Sequence, residues 1–557
     1  MNRSKSWLAM VCLSFIVVIS MFGFQKTMGE DEKAFDVVVL GGTSGGVVAA
    51  VQSARMGKAV VLIESGRHLG GLTAGGLGAT DIGNKEAIGG IAREFYHQLY
   101  LHYRKNDSWM YEQRGNYGRT GEYSRGGAES WDKEQAWWMF EPHVAEAIFK
   151  DMIRQAGVAV VYGERLELKD GVQKQGSQII AIRMESGRVF KGKMFIDATY
   201  EGDLMAKAGV SYTIGRESNA QYGETLNGVQ TKNARYHQFE KPVDPYIKLG
   251  DPSSGLLPGV HGDGPGEEGQ GDHRVQAYNF RLCLTDVPEN RIPIPKPEDY
   301  NELRYELLLR YYEAGFDEIP WIKTMMPNRK TDINNKHAFS SDNIGMNYDY
   351  PDGDYAMREK IIAEHTSYQQ GLMWTLANHQ RVPVNIRNEV SEWGLAKDEF
   401  VDNGNWPHQL YVREARRMVS DYVMTEQNCM SKRMVADSVG LGAYGMDSHN
   451  AQRYVDEKGL ARNEGDVQVG GFGPYPISYR SIIPRKEECS NLLVPVCLSA
   501  SHIAFGSIRM EPVFMVLGQS AATAACLAIN EDVSLQQLDY QKLRRQLLKD
   551  KQRLDWK

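Results

Sequence analysis

Two groups of residues in this 557-residue chain have types and spacings that can do chemistry. The first is Gly41-Gly42-Thr43-Ser44-Gly45-Gly46, which follows the β-branched run Asp36–Leu40 and precedes the small-residue stretch Val47–Met56. Strand, glycine turn and helix in that order make a pyrophosphate site, because backbone N–H groups converge where the helix dipole is positive. Gly41 permits the tight turn and Gly46 lets the helix close on the strand, while Thr43 stands where a second glycine usually lets the backbone approach the phosphates. A second β-run, Ala59–Ile63, ends on Glu64, roughly 20 residues past the turn, where a carboxylate accepts ribose hydroxyls and repels a 2′-phosphate. The second group lies in the C-terminal half. His502, in a small-residue loop ahead of the apolar run Val513–Ile529, carries an imidazole able to take a hydroxyl proton as hydride leaves carbon. Its competing role is a structural bond to the loop backbone. His408 and His449 are second candidates for the base. Arg413 and Arg417, four apart, are expected on one helix face, a guanidinium pair for a carboxylate or sulfate. Glu414 is expected to point elsewhere and is a further candidate base. A solvated helix with an internal salt bridge is the alternative for this stretch.

The elements that must position these residues follow from the pattern. The unit Asp36–Glu64 has the length of a βαβ dinucleotide element and predicts an α/β fold. A literal G-x-G-x-x-G at Gly440, Gly442 and Gly445 follows no β-run and is read as a loop, as is the acidic, glycine-rich stretch Gly259–Asp272. With 64 basic and 71 acidic residues and no basic block, the chain has no electrostatic footprint for nucleic acid. The cysteines contain no C-x-x-C pair, so iron–sulfur or c-type haem chemistry has no ligands, and no metal is expected. Arg3 and Lys5 precede the uncharged run Trp7–Phe24, the order of a secretory signal. Residues 1–30 are therefore read as an export signal, to the periplasm or beyond. An uncleaved N-terminal anchor is the alternative and the one route to membrane contact.

After Glu64 comes Ser65-Gly66-Arg67-His68-Leu69-Gly70-Gly71, and further on Phe195-Ile-Asp-Ala-Thr-Tyr-Glu-Gly-Asp203 and Ile508-Arg-Met-Glu-Pro512. With the glycine turn, these motifs resemble the FAD-dependent oxidoreductases, in particular a secreted branch labelled as relatives of the heterodisulfide reductase flavin subunit or as xanthan lyase-like. The resemblance covers nearly all of the chain after residue 35. It implies FAD as cofactor and a Rossmann-like FAD-binding domain of the glutathione-reductase type, in two parts (35–230 and 471–540), with an inserted α+β substrate or cap domain (231–470). It adds Ser65, Gly70, Gly71, Arg509 and Glu511 to Gly41–Gly46 and Glu64 as cofactor-binding residues. Two departures stand out: Pro495-Val496-Cys497 replaces the carboxylate that many flavoproteins place in the last cofactor strand, and the thiolate spacing of an iron–sulfur subunit is missing. The expected activity is hydride transfer between flavin and a small polar substrate such as a sugar, polyol or hydroxy acid. With no second nucleotide fold in the sequence, electrons pass to a separate, unidentified acceptor. The alternative is a non-redox, polysaccharide-active or carbohydrate-binding protein with structural FAD or none.

Overall fold

The computed structural model describes residues 34–118 and 128–556. The proposed signal or anchor lies outside them. Strand β1 (Ala34–Leu40) feeds through the glycine turn into helix α1 (Ser44–Arg55) and back to strand β2 (Val60–Glu64), which pairs with β1 in parallel. Val37, Val38 and Val39 are fully buried, the composition expected of a parallel strand covered on both faces. Pro142 opens the helix Pro142–Ala156, where its fixed φ and missing N–H suit the first turn, and the chain returns as β3 (Ala159–Tyr162) beside β2. Strands β4 (Val172–Gln175), β5 (Gln178–Arg183) and β6 (Val189–Asp197) form an antiparallel meander, and β6 also pairs in parallel with β1. Sheet order is therefore β3-β2-β1-β6-β5-β4. The end of β6 takes a further parallel partner, Leu492–Leu493, some 300 residues on. The sheet thus closes only when the two ends of the chain meet.

The helix Glu511–Glu531 locks that closure. It is long and apolar enough to cross a bilayer, yet 89% of its apolar window is buried inside the protein, so packing accounts for its composition. It crosses α1 at near backbone contact: a Cβ on Gly518 would lie 2.2 Å from the Gly45 carbonyl oxygen. The middle of the chain contributes a second, antiparallel five-stranded sheet in the order Arg291–Ile292, Gly394–Ala396, Leu284–Thr285, Lys330–Asn335, Trp321–Met326.

Three sequence expectations need correction here. Residues 411–417 form no helix. Tyr411 is held in extended pairing with Asn279, and Arg417–Met418 pairs with Tyr212–Thr213, so backbone ladders outweigh the helix propensity of Arg-Glu-Ala-Arg-Arg. His502 is not in a loop but is the first residue of the helix His502–Ile508, capped by Ser501. Part of the Gly440 motif is a strand, Ser438–Gly442, paired with Tyr475–Ser478. The stretch Gly259–Asp272 does lack regular elements. Cys283, Cys429, Cys489, Cys497 and Cys526 are buried free thiols.

Candidate active site

The glycine turn is built from the residues the sequence marks. Gly41 has φ +100°, and a Cβ there would meet the Ala198 carbonyl carbon at 2.8 Å, so only glycine fits between β1 and the end of β6. Gly46 lies so close beneath that its Cβ would stand 1.9 Å from the Gly41 oxygen. Thr43 takes the position of the missing glycine for a local reason: its hydroxyl caps α1 by accepting from Gly46 N (3.2 Å) and donates to Ala198 O (2.7 Å). Gly70 lies against the turn, its N–H donating to Gly42 O at 2.7 Å. Glu511 braces the assembly from below, accepting from Ser44 Oγ (2.5 Å), Thr73 Oγ1 (2.8 Å) and Tyr200 Oη (2.7 Å). Burial pushes its carboxyl up, against those three donors.

Glu64 ends β2 with its carboxylate turned to the backbone, accepting Gly42 N and Gly66 N, both at 2.6 Å. Burial pushes this carboxyl up as well, opposed by the same two amides. Oε1 also accepts from Ser65 Oγ at 3.2 Å, which leaves Oε2 with a lone pair for a further donor. Two adjoining cavities of about 270 and 280 Å³ open here and share Gly41, Ser65, Gly66, Thr199 and Glu201 among their walls. Their position beside the turn and the Glu64 carboxylate fits the adenosine and pyrophosphate half of FAD. His408 lines one of them with His68, the two imidazoles stacked at 3.9 Å. Burial lowers His408 to about 4, whereas the bond to Glu146 raises His68. His408 therefore stands with the nucleotide cradle, apart from the other two histidines.

The sequence-predicted pair Arg413 and Arg417 diverges. Both are fully buried. Arg417 reaches Glu217 (3.1 Å) and the Gly215 carbonyl, while Arg413 reaches Asp342 (2.9 Å) and the Ala277 carbonyl. They form no joint clamp and no solvated face. Glu414 between them bonds His502 Nδ1 at 2.7 Å and Gln276 Nε2 at 2.6 Å, with Arg417 3.7 Å away. Burial alone would raise this carboxyl, but His502 and Arg417 hold it below its usual range. His502 Nε2 meets Ser448 Oγ at 2.9 Å. With both ring nitrogens engaged and the side chain enclosed, His502 has no free lone pair for a substrate.

His449 does. Its Nδ1 bonds Asp342 Oδ2 at 2.8 Å, and Asp447 Oδ2 lies 3.8 Å from Nε2, beyond hydrogen-bond distance. Burial, then Arg413, lowers its pKa, which favours the neutral ring and leaves Nε2 without a hydrogen-bond partner. Asp342 is held ionised below its usual range, as Arg413 and His449 overcome the cost of burial. Sequence reasoning missed Asp342 and Ser448, which bond the His449 and His502 imidazoles, and Glu217 and Gln276, which bond Arg417 and Glu414, since no spacing in the sequence links these partners. Arg509 precedes the helix Glu511–Glu531 and donates to Tyr411 Oη and to Asp447 O (3.0 Å). Cys497, where a carboxylate was missing, places its thiol against the carbonyls of Thr199 and Tyr200. Elsewhere Glu141, His143 and Glu399 are spaced as a cation site, but the buried Lys330 ammonium already bonds Glu141 (2.8 Å) and Glu399 (2.6 Å) as their counter-ion.

Solved structures resembling parts of the chain include the L-amino acid deaminase from Proteus vulgaris (15% identity, 34% of this chain and 54% of that one, TM-score 0.23). L-proline dehydrogenase from P. horikoshii matches similarly (16% identity, 33% and 59%, TM-score 0.22). The chain spans little more than half the length of these two proteins, and at such scores the likeness carries no argument about function. No curated protein matches the chain. Residues 36–547, nearly everything after the N-terminal segment, match a single family, and the chain belongs to it: this is an FAD dependent oxidoreductase.

Proposed function

We propose that the protein transfers hydride between FAD and a small polar substrate carrying a hydroxyl, a sugar, polyol or hydroxy acid, with His449 as the base that takes the hydroxyl proton. The observation that carries this reading is the Asp342–His449 pair with Nε2 unbonded, in the same buried cluster as Arg509, two residues ahead of the helix that braces the glycine turn. Family membership favours this redox reading over a non-redox one. Bound FAD supplies the two-electron donor and acceptor. Gly41–Gly46 would hold its pyrophosphate and Glu64 its adenosine ribose. Ser65, Gly70 and Gly71 would close over the same half. Asp342 fixes the His449 tautomer, as a carboxylate does for any imidazole base. Residues 231–470 would form the substrate side and exclude water, and the acceptor would be a separate carrier, quinone or oxygen. The run Trp7–Phe24 supports export, with capture of FAD outside the cytoplasm because Arg3-Ser-Lys5 has no arginine pair. The test is direct. Purified protein should show flavin absorbance that anaerobic dithionite bleaches and an acceptor restores, and a dye-coupled screen of sugars, polyols and hydroxy acids should find the reductant. Colourless protein, or flavin that no hydroxyl compound reduces, would overturn the reading.

A further inference from the structure

Three buried arginines surround Tyr411 from three separate parts of the chain. Arg281 forks onto Asp332 through Nε (2.7 Å) and Nη2 (2.8 Å), which leaves Nη1 without a hydrogen-bond acceptor and 3.7 Å from Asp81. Arg413 bonds the Ala277 carbonyl and pairs with Asp342, and its Nε has no acceptor. Arg509 bonds Tyr411 Oη and Asp447 O, and its Nε likewise has none. The Arg413 and Arg509 guanidinium carbons stand 4.7 and 5.5 Å from the Tyr411 ring centre, and the Tyr411 hydroxyl lies in the field of all three cations. A buried charged donor without a partner forfeits its hydration with nothing in return, so these three nitrogens call for an acceptor. Two of the three charges are matched by enclosed carboxylates, Asp332 and Asp342. The acid nearest Arg509, Asp447, is 23% exposed and lies beyond hydrogen-bond distance at 3.8 Å, where solvent weakens the pair.

We infer that Arg281, Arg413, Arg509 and Tyr411 form a binding site for the carboxylate of a small organic acid, which narrows the substrate from polar compounds in general to carboxylic acids. A carboxylate suits this cluster because its two oxygens can accept charge-assisted hydrogen bonds from N–H donors of separate guanidinium groups. Asp447, 3.8 Å from His449 Nε2, would remain as an acceptor for a hydroxyl on the same molecule. The inference rests on the flavoenzyme reading above for its catalytic meaning, but binding is measurable without turnover.

The probes are glycolate, lactate, malonate and malate, each against its neutral amide, with sodium chloride at matched ionic strength. They are added to purified full-length protein while flavin absorbance and Tm are followed. At least one carboxylate should shift the flavin band and raise Tm saturably, and its amide should bind at least tenfold more weakly. Arg509→Lys keeps the charge but loses the unpartnered Nε donor, and Tyr411→Phe removes only the hydroxyl; each should weaken that carboxylate roughly tenfold or more. Flavin-loaded protein that responds to none of the four acids, or equally to amide and chloride, overturns the site. So does unchanged affinity in both variants. Colourless protein overturns the flavin reading instead, and the Tm arm still decides the site.

Discussion

At the scale of single residues, the two buried histidines of the candidate site do different work. His449 has an open Nε2 and His502 does not. His449→Gln should keep FAD and dithionite reduction but slow substrate-driven flavin reduction by about 10²- to 10⁴-fold, the usual worth of a general base. Stopped-flow reduction under anaerobic conditions measures this. The base works when neutral, and because burial lowers the His449 pKa, the wild-type rate should hold as pH falls through the ordinary imidazole range near 6.5 and decline only below it. A decline centred at or above that range would assign the proton transfer to another group. His502→Ala should act on stability instead. It strips the buried Glu414 carboxylate of its shortest charge-orienting contact except Gln276, a loss of about 1.5–3 kcal/mol in chemical denaturation. The sequence expectation had placed the base at His502, and a variant that is stable but unable to reduce its flavin would restore it.

At the scale of elements, the glycine turn depends on a carboxylate that comes from the far end of the chain. Glu511 accepts hydroxyls from Ser44, Thr73 and Tyr200, which tie α1, the Gly70–Gly71 segment and the loop after β6 to one helix. Glu511→Gln replaces one acceptor oxygen by a donor that faces other donors. Flavin occupancy after dialysis should fall several-fold while the circular dichroism spectrum keeps its α/β shape. Gly41→Val should be worse, because a β-branched residue at φ +100° collides with the Ala198 backbone; apoprotein or insoluble protein is the expected product. Full flavin content in either variant, read as the absorbance ratio to protein, would contradict the assignment of this turn to the cofactor.

At the scale of the whole molecule, the nucleotide sheet and the middle of the chain are joined by buried ion pairs. Asp203, just past β6, bonds Arg358 of the helix Tyr355–Asn378 (2.6 Å) and Arg416 (2.7 Å). Burial opposes its ionisation, but the two guanidinium groups hold its carboxyl below the usual range. A depressed folded-state pKa contributes stability that is complete above the unfolded value near 3.9 and is lost as pH falls below it. Acid unfolding should therefore steepen below about pH 4. In Arg358→Met, one partner of a buried pair is gone, and stability at pH 7 should drop by up to about 3–5 kcal/mol, with Arg416 limiting the loss. Equal acid sensitivity and equal stability of variant and wild type would show the junction to be unimportant.

The sequence by itself determined the βαβ unit, the role of Glu64 as the end of β2, and the long helix near the C-terminus. These depend on local period, turn chemistry and burial patterns that extend over at most some 30 residues. The cofactor class was legible for the same reason, since a phosphate turn is a short, contiguous device. The groups of the proposed base and anion site were only half legible. Arg413, Glu414, His449 and His502 stood out by type, but their partners lie far off: Asp342 is 107 residues from His449, and Glu414 is 88 from His502. Only tertiary packing decides which imidazole is saturated and which keeps a lone pair, because burial makes each buried polar group take whatever partner the fold brings. The stretch Tyr411–Arg417 shows the limit most plainly: its composition favours a helix, and ladders to Asn279 and Thr213 make it extended, sending two arginines that sequence pairs on one face to opposite partners.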